Sequence, residues 1–250
     1  MKKHIPNAIT LLNLFSGCIA TILAVNDNFV GAALFVFLGI FFDFFDGFAA
    51  RKLNVSSPLG LQLDSLADMV TSGLVPGIVM CKLLVLATDD ATQFADTSHW
   101  QETSSMFSNA IFGLPLIGLL ITLGSAYRLA KFNIDEEQQT FFKGLPTPAN
   151  ALLILSLPLI MEFQNSDLIN AIILNPWFLI VLTLVSCYIL NANIKLFALK
   201  FKNYSFADNV IRYVFIMLCI VLLIVLQFAA IPLVILLYIG MSVLDNMVSK

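Results

Sequence analysis

Apolar residues run in long blocks along this 250-residue chain, separated by short polar stretches. A helix that crosses a bilayer needs about 20 such residues, within a range of about 17–25. Eight segments meet or approach that length, at about 8–25, 30–50, 64–88, 108–130, 148–162, 172–191, 209–227 and 230–246. The last two come from one run, Tyr213 to Leu244, which is too long for one span and short for two. Gln227 and Pro232 interrupt it near the middle and predict a tight hairpin. The long apolar runs also argue against a transmembrane β-barrel, whose strands alternate apolar and polar residues. The expected fold is therefore all-α: a polytopic membrane helix bundle of about eight transmembrane helices, forming one domain over residues 1–250.

Composition narrows the class further. Apolar residues make up 59% of the chain and charged residues 12%, whereas soluble domains carry about a quarter charged residues. A soluble globule and a disordered chain are both excluded. The net charge of −3 provides no basic field, so no nucleic-acid partner is expected. Cys18, Cys81, Cys187 and Cys219 lie in apolar runs without paired spacing, which reads as helix packing rather than a zinc site or a disulfide framework. Lys2 and Lys3 precede a long apolar run with no convincing cleavage site, so a retained first helix is expected.

The basic residues orient the bundle. With eight spans and both termini cytoplasmic, 12 of the 13 Lys and Arg residues fall on the inner side, Lys82 being the exception. The 89–105 segment carries four acids and no Lys or Arg, which suits the outer side. Six spans would also keep both ends inside, so the charge pattern leaves open whether some pairs merge. The expected location is the inner membrane, with chemistry facing the cytoplasm.

The chemistry concentrates between residues 43 and 68, DFFDGFAARKLNVSSPLGLQLDSLAD, which holds four of the twelve Asp residues. An Asp at the centre of a membrane helix costs about 2.5–3.5 kcal/mol. Arg51 and Lys52 are the only cations in the stretch and balance four carboxylates poorly. A hard divalent cation balances them better. Asp43 and Asp46 are three apart, Asp64 and Asp68 four apart, so each pair shares a helix face. Gly47 and Ala50 fall on the first acidic face, with Phe41, Phe44, Phe45 and Phe48 opposite. Gly60, Asp64, Asp68 and Thr71 share the second face, with Leu66, Met69 and Val70 opposite. The 52–59 linker, with Ser56, Ser57 and Pro58 as turn residues, brings the two faces together near the cytoplasmic surface. A single acid of this kind would read as a cap or a solvated helix end, Asp64 included. Four acids on two facing helices read as a two-metal site for phosphoryl chemistry. Gly47, Ala50 and Gly60 would leave room for a nucleotide, and Arg51 would hold phosphate oxygens.

The spacing Asp43-x2-Asp46-Gly47-x2-Ala50-Arg51-x8-Gly60-x3-Asp64-x3-Asp68 resembles the complete signature of the CDP-alcohol phosphatidyltransferase family, with all eight fixed positions present. The resemblance implies that an alcohol attacks a CDP-linked lipid, CDP-diacylglycerol, and releases CMP. It implies Mg²⁺ or Mn²⁺ held by Asp43, Asp46 and Asp64, with Asp68 both a ligand and the general base. It places Gly47, Ala50, Arg51 and Gly60 around CDP, with Ser57 as a further contact. A homodimer and membrane lipids are the implied partners.

Weaker cues resemble the branch of that family whose acceptor is L-serine. They are Pro6-Asn7-x2-Thr10-x2-Asn13, the run from Leu63 to Asp68 and on to Val75-Pro76-Gly77, the run Tyr127 to Asn133, and the run Phe142 to Pro148. Asn7 and Thr10 become candidate nucleotide contacts, Thr10 alternatively a helix start. Arg128 and Lys143 are candidates for holding the acceptor carboxylate or a lipid phosphate, against readings as a topology anchor and an inner-surface charge. Glycerol 3-phosphate or inositol phosphate is the alternative acceptor, although a phosphorylated acceptor would want more basic residues than Arg128, Lys131 and Lys143. From another class, a cation transporter could use the acids as a pathway, although they cluster at one membrane surface instead of threading the bilayer.

Overall fold

Small and polar residues, not large apolar ones, form the inner faces of the first two helices. The computed structural model describes residues 4–55, 57–88, 113–134, 142–164, 166–196 and 210–248. In α1 (Ile5–Val25) the buried positions are Pro6, Thr10, Asn13, Ser16, Gly17, Ala20 and Ala24, while Leu11, Leu12, Phe15 and Ile22 are exposed. In α2 (Phe29–Leu53), Ala32, Ala33, Val36 and Gly39 turn inward, and Phe41, Phe44, Phe45 and Phe48 are exposed, as their helical spacing predicts. This inversion suits helices in an apolar solvent, where small residues permit close packing and polar ones find partners inside. The helices join through Asn26–Asn28, with Asp27 left-handed at φ 59° and the Asn28 side chain accepting from the Gly31 N–H. Asp27 pairs with Lys82 at 3.0 Å. That pair neutralises Lys82 at the end of α1 away from the acids.

The next helical stretch begins at Pro58 rather than near residue 64. Asn54, left-handed at φ 52°, closes α2, and Ser57 caps the new helix by accepting from the Gly60 N–H at 3.1 Å. Pro58 is thus the first helical residue rather than part of the turn, because its fixed φ and missing N–H cost nothing there. Three segments follow without a break: α3 (Pro58–Asp68), a π-helical turn (Met69–Leu74) and α4 (Val75–Ala87). Cβ atoms at Gly17 and Gly39 would run into Thr71 of the π-turn, so these two glycines let α1 and α2 close over it.

A 3₁₀ turn (Pro115–Leu119) leads into α5 (Leu120–Ile134), followed by α6 (Thr147–Gln164). α7 (Asp167–Ile173) and α8 (Pro176–Asn191) meet at a 59° bend, at the place where one span was expected. α9 (Val210–Leu226) and α10 (Ala230–Val248) form the expected hairpin, bringing the Phe215 and Tyr238 rings to 5.7 Å. The reversal sits at Gln227, φ 47°, while Pro232 lies within the first turn of α10. Gln164 holds this corner, donating to the Leu226 carbonyl at 2.9 Å and accepting from the Ala229 N–H at 3.1 Å.

One detail departs from an all-α chain. Phe142–Lys143 and Lys195–Leu196 pair as a two-residue antiparallel ladder. Gly144, at φ 74°, extends the contact by donating to the Ile194 carbonyl. A Cβ there would strike the carbonyls at the end of α8, so the loop before α6 is fitted tightly against that end.

Among the described residues, four helical stretches are long and apolar enough to cross a membrane: Ile5–Val25, Phe29–Leu53, Pro58–Ala87 and Tyr213–Val243, the last of them folded back at Gln227. The bent pair α7–α8 makes a fifth if it is one span. The molecule is an essentially all-helical membrane protein.

Candidate active site

Helical spacing places both acidic pairs on inward faces, and the α2–α3 turn sets them against each other. One carboxylate oxygen from each of Asp43, Asp46 and Asp64 can lie within 4.8 Å of the others. Asp46 is 5% exposed and so has little water of its own. The Thr10 hydroxyl of α1 donates to Asp46 Oδ2. The Asn13 amide donates to Asp68 Oδ1 at 3.2 Å, and Arg128 of α5 acts on Asp68 electrostatically. Among the described residues, Asp64 Oδ1 is buried without a hydrogen-bond partner and no Lys or Arg forms an ion pair with any of the four acids. An orphaned buried carboxylate oxygen beside two further carboxylates is costly without a counter-charge. The donor set is all oxygen and anionic, which fits a hard divalent cation held by Asp43, Asp46 and Asp64.

Beside the acids lies an open pocket of about 170 Å³ between α1, α2 and α3. Asp46 and Asp64 form its acidic wall. Six of the seven residues expected around a nucleotide line it: Asn7, Thr10, Gly47, Ala50, Ser57 and Gly60. Glycine at 60 matters because a Cβ there would stand 3.2 Å from both Asn7 Oδ1 and Ser57 Oγ, tightening the mouth between α1 and α3. Arg51, the seventh, is exposed and does not line the pocket. Its guanidinium lies over Gly47, with Nη1 at 3.7 Å from the position a Cβ would take there.

Arg128 is 8% exposed, and its Nε lacks a partner among the described residues. It lines a separate small pocket with Lys131, Leu190 and Asn191, so it is a buried cation rather than a surface anchor. The Lys143 side chain and the 89–107 segment lie outside the described residues.

Pro6, which opens the Pro6 to Asn13 run, completes the pocket with Val55 and Leu61, and the last two carry no chemical signal in the sequence. Asn13 and Thr71 are different. Asn7, Thr10, Asn13 and Ser16 recur every third residue in an apolar helix, a polar stripe that marks an inward face. Asn133 likewise ties α5 to α3, its amide donating to Ser65 Oγ at 2.9 Å.

Fold and site together define a helical membrane protein with an all-carboxylate cluster, suited to a divalent cation, beside an open pocket. A family model for CDP-alcohol phosphatidyltransferase matches residues 3–188, and the chain belongs to that family. It is 33% identical over 174 residues to the CDP-diacylglycerol–serine O-phosphatidyltransferase of Bacillus subtilis, covering 68% of this chain and 81% of that one. The enzyme of the same name from Methanocaldococcus jannaschii is 31% identical over 170 residues, covering 68% and 66%. That from Saccharomyces cerevisiae is 32% identical over 170 residues, where the match spans 62% of this chain and about half, 53%, of the relative.

Proposed function

We propose that this protein transfers a phosphatidyl group from CDP-diacylglycerol to L-serine, giving phosphatidylserine and CMP. The observation that carries the reading is the acidic wall of Asp46 and Asp64, with Asp43 beside it, on a pocket whose other walls are small or polar. The serine acceptor rests on the names of the relatives and on the resemblance of the runs Pro6 to Asn13 and Tyr127 to Asn133 to the serine-accepting branch.

In this reading CDP occupies the pocket, with Gly47, Ala50 and Gly60 leaving room and Asn7, Thr10 and Ser57 offering polar contacts. Arg51 closes over the phosphates from the exposed side. Mg²⁺ or Mn²⁺, held by Asp43, Asp46 and Asp64 with Asp68 as a further ligand, supplies the positive charge that offsets the pyrophosphate as CMP leaves. Asp68 takes the proton of the serine hydroxyl as the new P–O bond forms at the lipid-bearing phosphorus and the P–O bond to CMP breaks. Arg128 and Lys143 hold the serine carboxylate or a lipid phosphate. The bundle spans the inner membrane eight times as one domain, with both termini and the site at the cytoplasmic face, and works as a homodimer.

The test is CMP release by purified protein in detergent with CDP-diacylglycerol and Mn²⁺, with and without L-serine. Serine-dependent release abolished by EDTA is the expected result. Release that ignores serine and follows another alcohol would overturn the acceptor.

The pocket itself is probed at Gly47. A methyl there would meet Arg51 at 3.7 Å, an ordinary contact, so Gly47→Ala should bind CDP-lipid nearly normally. Gly47→Leu fills the space and should weaken CDP-diacylglycerol binding by about tenfold or more. Wild-type affinity in the Leu variant would mean that the nucleotide sits elsewhere.

A further inference from the structure

Asn13 is wholly buried on α1, and its side chain bridges two residues of the α3–π-turn stretch. Thr71 Oγ1 donates to Asn13 Oδ1 at 2.8 Å, with the Asn13 backbone carbonyl a second acceptor at 3.2 Å. Asn13 Nδ2 donates to Asp68 Oδ1 at 3.2 Å. The directions follow from the chemistry. An ionised carboxylate only accepts, so the nitrogen end of the amide faces Asp68, and the oxygen end is left for the single hydroxyl proton of Thr71. Thr71 is wholly buried too, in the slot cleared by Gly17 and Gly39. The relay Thr71→Asn13→Asp68 is therefore closely packed at its Thr71 end by the backbones of α1 and α2.

We infer that Asn13, held by Thr71, is a positioning residue for the transfer reaction: it fixes the rotation of the Asp68 carboxylate by engaging Oδ1, and so presents Oδ2 to the acceptor hydroxyl. The inference rests on the proposed role of Asp68. Neither Asn13 nor Thr71 lines the nucleotide pocket, so the relay acts on turnover and not on binding of the CDP-lipid. Outer hydrogen bonds of this kind are worth about 10–100-fold in activity at comparable carboxylate sites.

Thr71→Val keeps the shape of the slot and removes the proton that orients Asn13; Thr71→Ser keeps the hydroxyl. The measurements are kcat, the dissociation constant for CDP-diacylglycerol and the melting temperature in detergent, for both variants and for Asn13→Leu. The expected result is a fall in kcat of about tenfold in Thr71→Val and up to about a hundredfold in Asn13→Leu. CDP-lipid affinity should stay within about twofold in both, and Thr71→Ser should restore kcat. Wild-type kcat in Thr71→Val would overturn the inference. So would a joint loss of kcat, affinity and melting temperature that Thr71→Ser fails to restore, because that is the behaviour of a packing contact. Should the wild type prefer another alcohol, the serine reading fails, and the same comparison with that alcohol still decides the role of Asn13.

Discussion

Asp64→Asn is expected to lower CMP release by about 10³-fold and to raise the Mn²⁺ concentration needed for half-maximal activity by at least about tenfold. Three facts single out Asp64. Its carboxylate belongs to the cluster within 4.8 Å, it lines the pocket, and its Oδ1 is buried with no hydrogen-bond partner among the described residues. The amide replaces one acceptor oxygen by a donor and removes the negative charge, with little change in volume. Electrostatic stabilisation by a bound cation is worth several kcal/mol, and each 1.36 kcal/mol is tenfold in rate, which sets the scale. Metal titration of CMP release, with the CDP-lipid saturating, is the decisive measurement. An unchanged titration midpoint would remove Asp64 from the ligand set.

Asp68→Asn should behave differently, although the residue is only one turn away. Asp68 does not line the nucleotide pocket, and its Oδ1 is already engaged by Asn13. Its loss should therefore spare CDP-diacylglycerol binding to within about twofold and lower kcat by about 10²–10⁴-fold, the usual range for a general base. Single-turnover CMP release measured beside equilibrium binding of the CDP-lipid separates the two effects. Turnover close to wild type would remove Asp68 from the proton-transfer role. A loss of binding as large as the loss of turnover would make it a nucleotide-site residue instead.

Much of this site was legible because helical periodicity is a local property. Asp43 and Asp46 with Gly47 and Ala50, and Asp64 with Gly60, fall on inward faces for a reason contained within two turns of chain. The exposed Phe stripe on α2 follows from the same arithmetic. Helix boundaries were legible where a breaker stands, as at the Gln227 reversal. They were less so at Pro58, where Gly60, Gln62 and Ser65 hide a helix start that depends on the Ser57 cap. The π-turn at Met69–Leu74 has no periodic signature at all.

The sequence by itself determined a polytopic helical membrane protein, two acidic helix faces and the family they belong to, because apolar length, three- and four-residue spacing and the signature are all read along the chain. The tertiary structure decided the rest. It tied Thr10 to Asp46 across 36 positions, Asn13 to Asp68 across 55 and Lys82 to Asp27 across 55. It placed Arg51 outside the pocket lining and buried Arg128 beside a different one. These contacts depend on how closely whole helices approach, which Gly17 and Gly39 permit at the α1–α2 crossing over Thr71. Such a distance is a property of three packed helices together, and no spacing within one of them encodes it.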